Sequence, residues 1–305
     1  QLFLGKLNLK NDRISESRYY LSKASTQGEG EALFHLGMIE RNNPSSLILI
    51  KDAVQNIKKS QRNYIKPIFN GNINWQTLAI HELGLYYKHG QCITKDIRLA
   101  KESFFIGAQR GYVNSQRELA FIYQNDNTYK NLVEAKRWFN KAGNQGDSRS
   151  LLNLGIIYFK GGIGVNKNLK LSAKYFLLAK NLGESIAESY LGDLYTFALS
   201  PNLLDVDLGI KFFKRAAEFG DKISQYTLGC YYHLGTYQDI LPKDISLAIY
   251  WYRKSAQQGS SLSQYYLGKL LGEKGPYQNK QEALEWLRKA SLNGISEADA
   301  CILKL

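Results

Sequence analysis

"GSSLSQYYLGKLLG", residues 259–272, holds two glycines nine positions apart. The spacing returns in "GDSRSLLNLG" (146–155), "GESIAESYLG" (183–192) and "GDKISQYTLG" (220–229), and between Gly28 and Gly37. The first glycine of the pair recurs at 111, 146, 183, 220, 259 and 294. A step of about 37 residues belongs to the range of helical repeat arrays.

Other columns keep register with the second glycine. Five positions before it stands a small residue: Ala32, Ala79, Ser115, Ser150, Ala187, Ser224 and Ser263. One before it stands a leucine, as at Leu36, Leu83, Leu119, Leu154, Leu191, Leu228 and Leu267. Three after it stands Tyr87, Tyr123, Tyr158, Tyr195 or Tyr232, with Leu271 in the last full copy. These offsets place one stripe on a helix, here helix A, where small residues admit a neighbouring helix. A second segment, as in "AKRWFNKAGNQG" (135–146) and "AIYWYRKSAQQG" (248–259), carries an aromatic pair and then a small residue before a closing glycine. It reads as helix B, ended by a left-handed glycine. The loop between them holds Asp96, Asn168, Asp207 or Asp244, each expected to cap helix B.

The pattern of small residue, Leu-Gly, x-x-Tyr, loop, Ala, aromatic pair, Lys-Ala and Gly resembles the Sel-one-like repeat (SLR), a relative of the tetratricopeptide repeat. The resemblance is most specific from 112 to 294. It implies an all-α, right-handed superhelical solenoid of about eight antiparallel helix pairs, a single domain over 1–305. Repeats are expected to end near 28, 75, 111, 146, 183, 220, 259 and 294, with residues 295–305 starting a further helix. Three departures stand out. Residues 44–75 form an over-long irregular repeat with Trp75 where the closing glycine belongs, Ala120 replaces a helix A glycine, and Leu203–Asp207 replaces a glycine-rich loop.

Composition narrows the function. Lys plus Arg number 40 against 27 Asp plus Glu, a net charge of +13, without a run of five like charges. Such a balance favours acidic surfaces, but no nucleic-acid recognition motif accompanies it, and nucleic acid is not expected as a partner. The densest basic stretch is "KKSQRNYIK" (58–66). No apolar run of about 18 residues reads as a membrane span. The chain begins at Gln1 and its one methionine is Met38, so it reads as a piece of a longer protein. Cys92, Cys230 and Cys301 are odd in number and far apart, which favours reduced thiols in a cytoplasmic setting over the periplasm or endoplasmic-reticulum lumen. The sequon-like Asn43-Pro44-Ser45 is blocked by its proline.

Chemistry is scarce. There is no phosphate-binding loop, nucleophile elbow or zinc-protease motif. "GGIGVNKN" (161–168) precedes a repeat helix without a strand before it and reads as a repeat loop. Cys230 and His233 lie three apart on one helix face, without third and fourth ligands at matching spacing. No metal, no cofactor and no catalytic group are expected.

By similarity to the tetratricopeptide repeat, positions −6, −3, +1, +4 and +5 about the helix A glycine point to a concave face. The candidate partner-binding residues there are His81, Leu85, Lys88, Arg117, Phe121, Gln124, Leu152, Ile156, Phe159, Lys160, Tyr226, His233 and Tyr265. Phe121, Leu152, Ile156 and Phe159 are expected to form an apolar patch rimmed by Lys88, Arg117 and Lys160, fitting a protein or peptide with apolar and acidic features. The alternative is that the −3 and +1 residues pack between repeats. The resemblance implies a non-catalytic scaffold or adaptor, with a bacterial host-interaction factor among the roles of such repeats. The rival reading is a regulatory or activating subunit of a membrane-associated complex, a glycan synthase or ubiquitin ligase. Partner and oligomeric state are not written in the sequence.

Overall fold

The structure, a computed structural model, describes residues 1–27, 29–40, 44–59, 75–197, 204–237 and 239–305. Gly28, Asn43, Leu203, residues 60–74 of the over-long repeat and with them most of the basic stretch lie outside the described residues.

Among the described residues the chain forms seventeen α-helices and no strand. They alternate as A and B partners: α1 (Leu2–Lys10) with α2 (Ile14–Ser25), α3 (Gly30–Ile39) with α4 (Pro44–Lys59), α5 (Trp75–His89) with α6 (Ile97–Gln109), and α7 (Val113–Asn125) with α8 (Leu132–Gly143). Then follow α9 (Ser148–Lys160) with α10 (Leu169–Asn181), α11 (Ile186–Phe197) with α12 (Val206–Glu218), α13 (Lys222–Leu234) with α14 (Ile245–Gln257), and α15 (Ser261–Gly272) with α16 (Lys280–Leu292). A last helix, α17 (Glu297–Ile302), follows α16 as the expected start of a further A helix. The helices group into two compact units, residues 1–150 with 161–166, and residues 151–160 with 167–305.

The glycine of helix A is the contact point of each pair. A Cβ on Gly229 would lie 2.5 Å from the ring of Tyr252, and one on Gly192 2.8 Å from that of Phe213. The ring in question is always the residue seven before the closing glycine: Phe104, Phe139, Phe176, Phe213 and Tyr252, with Leu287 in the last pair, all fully buried. Each such side chain contributes roughly 2–3 kcal/mol of apolar burial. In α7 the small Ala120 stands in the glycine's place and is buried against the same architecture. The closing glycine meets a different need, since Gly220 has φ +94° and open space around its Cβ position. Its left-handed backbone turns the chain from helix B into the next helix A.

A second device fixes the A-to-B loop whatever its length. The N-cap residue of helix B donates its backbone N–H to the carbonyl three after the helix A glycine: Asp96 to Tyr87, Asn131 to Tyr123, Asn168 to Tyr158, Asp205 to Tyr195, Asp244 to Tyr232 and Asn279 to Leu271. Its side chain meanwhile accepts from the first turn, as Asp244 does from Leu247 N–H and Asp205 from Leu208 N–H. Asp205, and not Asp207, is therefore the cap of α12. Asp207 lies two residues inside the helix and pairs with Lys211 instead. Asp205 lies ten positions after Tyr195, as Asn168 does after Tyr158, and its N–H bond to that carbonyl makes it the cap.

Neighbouring repeats are joined by a ladder of side-chain amides. Gln116, Gln225 and Gln264 of helix A donate to the carbonyls of Ala108, Ala217 and Ala256 in the preceding helix B. Their own side-chain carbonyls accept from Gln145, Gln258 and Asn293, the residues just before the closing glycines. Buried amides at these turns are thus satisfied in both directions.

Candidate functional site

Positions −5, −1 and 0 of helix A are consumed by the stack. Side chains at +1 and +4 are mostly half-buried, which leaves part of each ring or chain on the helix A surface. The sequence-predicted residues divide between the two units.

In the first unit, His81 belongs to the interior. It is buried, lies edge-on to Tyr112 at 4.9 Å, and has Nδ1 3.0 Å from Ser115 Oγ. Two cations of the expected basic rim are internally neutralised. Lys88 Nζ is 2.5 Å from Glu118 Oε2, and Arg117 is 2.5 Å from Asp147 Oδ1 with a further bond to Asn114. Leu85, Phe121 and Gln124 are half-buried, and Phe121 meets the Phe139 ring edge-on at 5.2 Å. An open cleft of about 440 Å³ lies between Lys88, Ile97, Phe121, Ile122, Asn125 and Asp126.

In the second unit, Leu152 is buried and packs as core, whereas Ile156 and Phe159 are half-buried and Lys160 is exposed. Phe159 lies 6.4 Å from Phe176 and from Tyr190, and Phe176 stacks on Tyr190 at 5.0 Å. Further along, Tyr226 and His233 join a cluster that the sequence did not single out. Tyr252 stacks on Tyr266 at 5.7 Å, Tyr226 lies 6.2 Å from Tyr266, and His233 stands edge-on to both Tyr252 and Tyr266. The Tyr252 hydroxyl reaches Cys230 Sγ at 3.4 Å and His233 Nδ1 at 3.5 Å. Tyr265 is half-buried, with its ring 5.1 Å from that of Tyr266. Burial holds the His233 imidazole below its ordinary value, so it is neutral at pH 7, and pushes the Tyr226 and Tyr252 phenols up.

At the +1 position of α11, near Tyr190, stands Asp193. Burial, with Asp221 adding to it, pushes its carboxyl up to about 6. Charge is segregated in this unit. Helices α10, α12, α14 and α16 carry eleven Lys and Arg against four Asp and Glu, whereas α11, α13, α15 and α17 carry two against four. The basic character of this unit resides mainly on helix B, and the helix A face is aromatic, with Asp193, Lys160 and Lys269 as its charges. Among the described residues no group of three or more His, Cys, Asp or Glu is placed to hold a metal ion, and no helix is long and apolar enough to cross a membrane.

Tyr252, Tyr266 and Asp193 were the residues missed, while Cys230 was noted beside His233 only as an incomplete metal pair. Asp193 stands in the +1 column, and a search of that column for residues that are not apolar would have raised it. Tyr252 sits in the helix B packing column and is visible as part of this cluster only once two helices are brought together.

The Sel1 repeat profile matches residues 2–29, 77–111, 113–147, 148–184, 185–221, 222–260 and 261–295. Among solved structures, a Sel1 repeat protein from Oxalobacter formigenes is 22% identical with a TM-score of 0.78, over 99% of this chain and 85% of that one. The protein c5321, a protective antigen of uropathogenic Escherichia coli with an SLR fold, is 26% identical with a TM-score of 0.70 over 94% of this chain. The chain spans 59% of that protein's length. No curated protein matches the chain.

Proposed function

The chain belongs to the Sel1 repeat family, whose members generally mediate protein–protein interaction and are typically non-catalytic scaffolds, and from that premise we propose that it is itself a non-catalytic adaptor that holds a protein or peptide segment on its helix A face. The observation that supports this reading most is the Tyr226, Tyr252, Tyr266 and His233 cluster, with Asp193 at the +1 position of the preceding helix A. These rings exceed what the pair contact needs, because the buried Tyr252 ring already fills the space beside Gly229. Half-exposed tyrosines supply large, stiff contact area, the usual composition of binding hot spots.

The partner segment carries apolar or aromatic anchors for the rings and a lysine or arginine to meet Asp193. Acidic segments suit the helix B ridge better than this face, since Lys88 and Arg117 already have carboxylate partners. Affinity capture from the source cell tests the reading with three chains: wild type, Tyr226→Ala with His233→Ala, and a helix B control, Lys174→Ala with Lys214→Ala. Capture of one protein by wild type and the control, and its loss from the folded helix A variant, supports the proposal. Loss from the control alone contradicts it.

A further inference from the structure

The B helices of the second unit, α10, α12, α14 and α16, carry unpaired lysines on their outer stripe. Their other cations are largely occupied: Arg215 pairs with Glu188, Arg253 with Glu282 and Lys211 with Asp207. Among the described residues, Lys170, Lys174, Lys214, Lys254, Arg288 and Lys289 make no ion pair. On these helices only Glu218 and Glu285 stand against them as unpaired acids. Lys254 lies over the Tyr250 and Trp251 rings at 4.7 and 5.3 Å, and Lys289 over Trp286 at 4.4 Å. These ammonium groups rest on aromatic faces rather than on carboxylates.

Helix α10 breaks the cationic pattern. Where α12, α14 and α16 carry Lys214-Arg215, Arg253-Lys254 and Arg288-Lys289, it carries Leu177-Leu178. With Leu171 these leucines line an open depression of about 690 Å³, bordered by Lys170 and Lys174. Leu178 is exposed by 41%, and on α14 Leu247 and Tyr250 are exposed by 38% and 45%. A surface that sets exposed apolar side chains among unpaired lysines suits a counterpart that is both anionic and able to receive apolar groups.

We propose that the helix B face of the second unit docks on the surface of an anionic lipid bilayer. Its lysines meet the headgroup anions, and Leu178, Leu247 and Tyr250 enter the headgroup layer. The residue types favour a bilayer over other acidic surfaces. Protein interfaces are depleted in lysine and read carboxylates with the arginine fork, and two of the three arginines on these helices are already paired within the chain. A nucleic-acid backbone is held by charge and gains nothing from Leu178 or Leu247, whereas the acyl boundary takes both. Each lysine brought to such a surface strengthens binding about fivefold. The aromatic helix A cluster takes no part in this contact.

Cosedimentation of the full 305-residue chain with lipid vesicles tests the proposal. The vesicles are phosphatidylcholine alone, or phosphatidylcholine with about 30 mol% phosphatidylserine, in about 0.1 M salt. Wild type is expected to bind the anionic vesicles and not the neutral ones. Lys174→Glu with Lys214→Glu is expected to weaken binding at least about twentyfold with unchanged helical circular dichroism. Lys222→Glu with Lys269→Glu, the same change in net charge placed on A helices, is expected to stay within about threefold of wild type. Leu178→Gln with Leu247→Gln is expected to weaken binding about tenfold. A wild type that ignores anionic vesicles, even while binding polyglutamate or duplex DNA at the same salt, overturns the proposal. So does equal loss in the two charge variants, or a leucine variant that binds like wild type.

Discussion

Single atoms decide where this sequence tolerates change. Gly229 sits inside a helix, where alanine would ordinarily gain about 1 kcal/mol, yet its missing Cβ is the space occupied by the Tyr252 ring. Gly229→Ala is expected to destabilise by about 1–2 kcal/mol net, since overpacking outweighs propensity. Gly220→Ala is expected to cost about 1 kcal/mol for a different reason, the left-handed backbone. Urea unfolding separates the two causes, because the added Tyr252→Leu change relieves the first and not the second. Asp193 offers a third residue-scale test. Its folded value of about 6 lies above the ordinary 3.8, so ionisation costs stability. That cost is absent below the unfolded value, grows as pH rises from about 4 to about 6, and is complete above it. The group is partly exposed, which reduces the effect to about 1 kcal/mol. Asp193→Asn is therefore expected to raise stability at pH 7 and leave it unchanged near pH 3.5, as measured by urea midpoints at the two values.

At the scale of the element, the repeat is a helix pair closed by one recurring bond, from the N-cap backbone N–H to the carbonyl three past the glycine. This bond explains how loops as different as residues 126–131 and 235–244 deliver the same helix B geometry. Capping is thus a property of the residue that makes this bond, not of the nearest acid in the sequence. Asp205→Ala is expected to cost about 1 kcal/mol, whereas Asp207→Ala removes only an exposed i,i+4 pair with Lys211 and is expected to leave the melting temperature nearly unchanged. Thermal melts of the two variants distinguish them. The amide ladder adds direction to the stack, since Gln258 bonds to the Gln225 side chain of its own helix pair and to the turn carbonyl of Gly220 in the repeat before it.

For the whole molecule, what was legible in the sequence follows from period and what was not follows from long-range pairing. The glycine, leucine and small-residue columns are set by contacts within one helix pair, so they repeat and can be read. The partners of Lys88 and Arg117 lie thirty residues away in the next repeat, and no local pattern announces Glu118 or Asp147 as their counter-charges. His81 reads as a surface residue from its offset alone, but Tyr112 and Ser115 of the next pair close over it. The net charge was equally illegible in placement, since only the structure shows that in the second unit it gathers on the B helices. The proposed binding surface is the aromatic helix A face. A photo-reactive phenylalanine placed at Tyr226, and separately at Lys174 on helix B, measures its use directly. Irradiation in the native cell is expected to give a defined protein adduct from position 226 and none from 174. An adduct from 174 with none from 226 would contradict the helix A account.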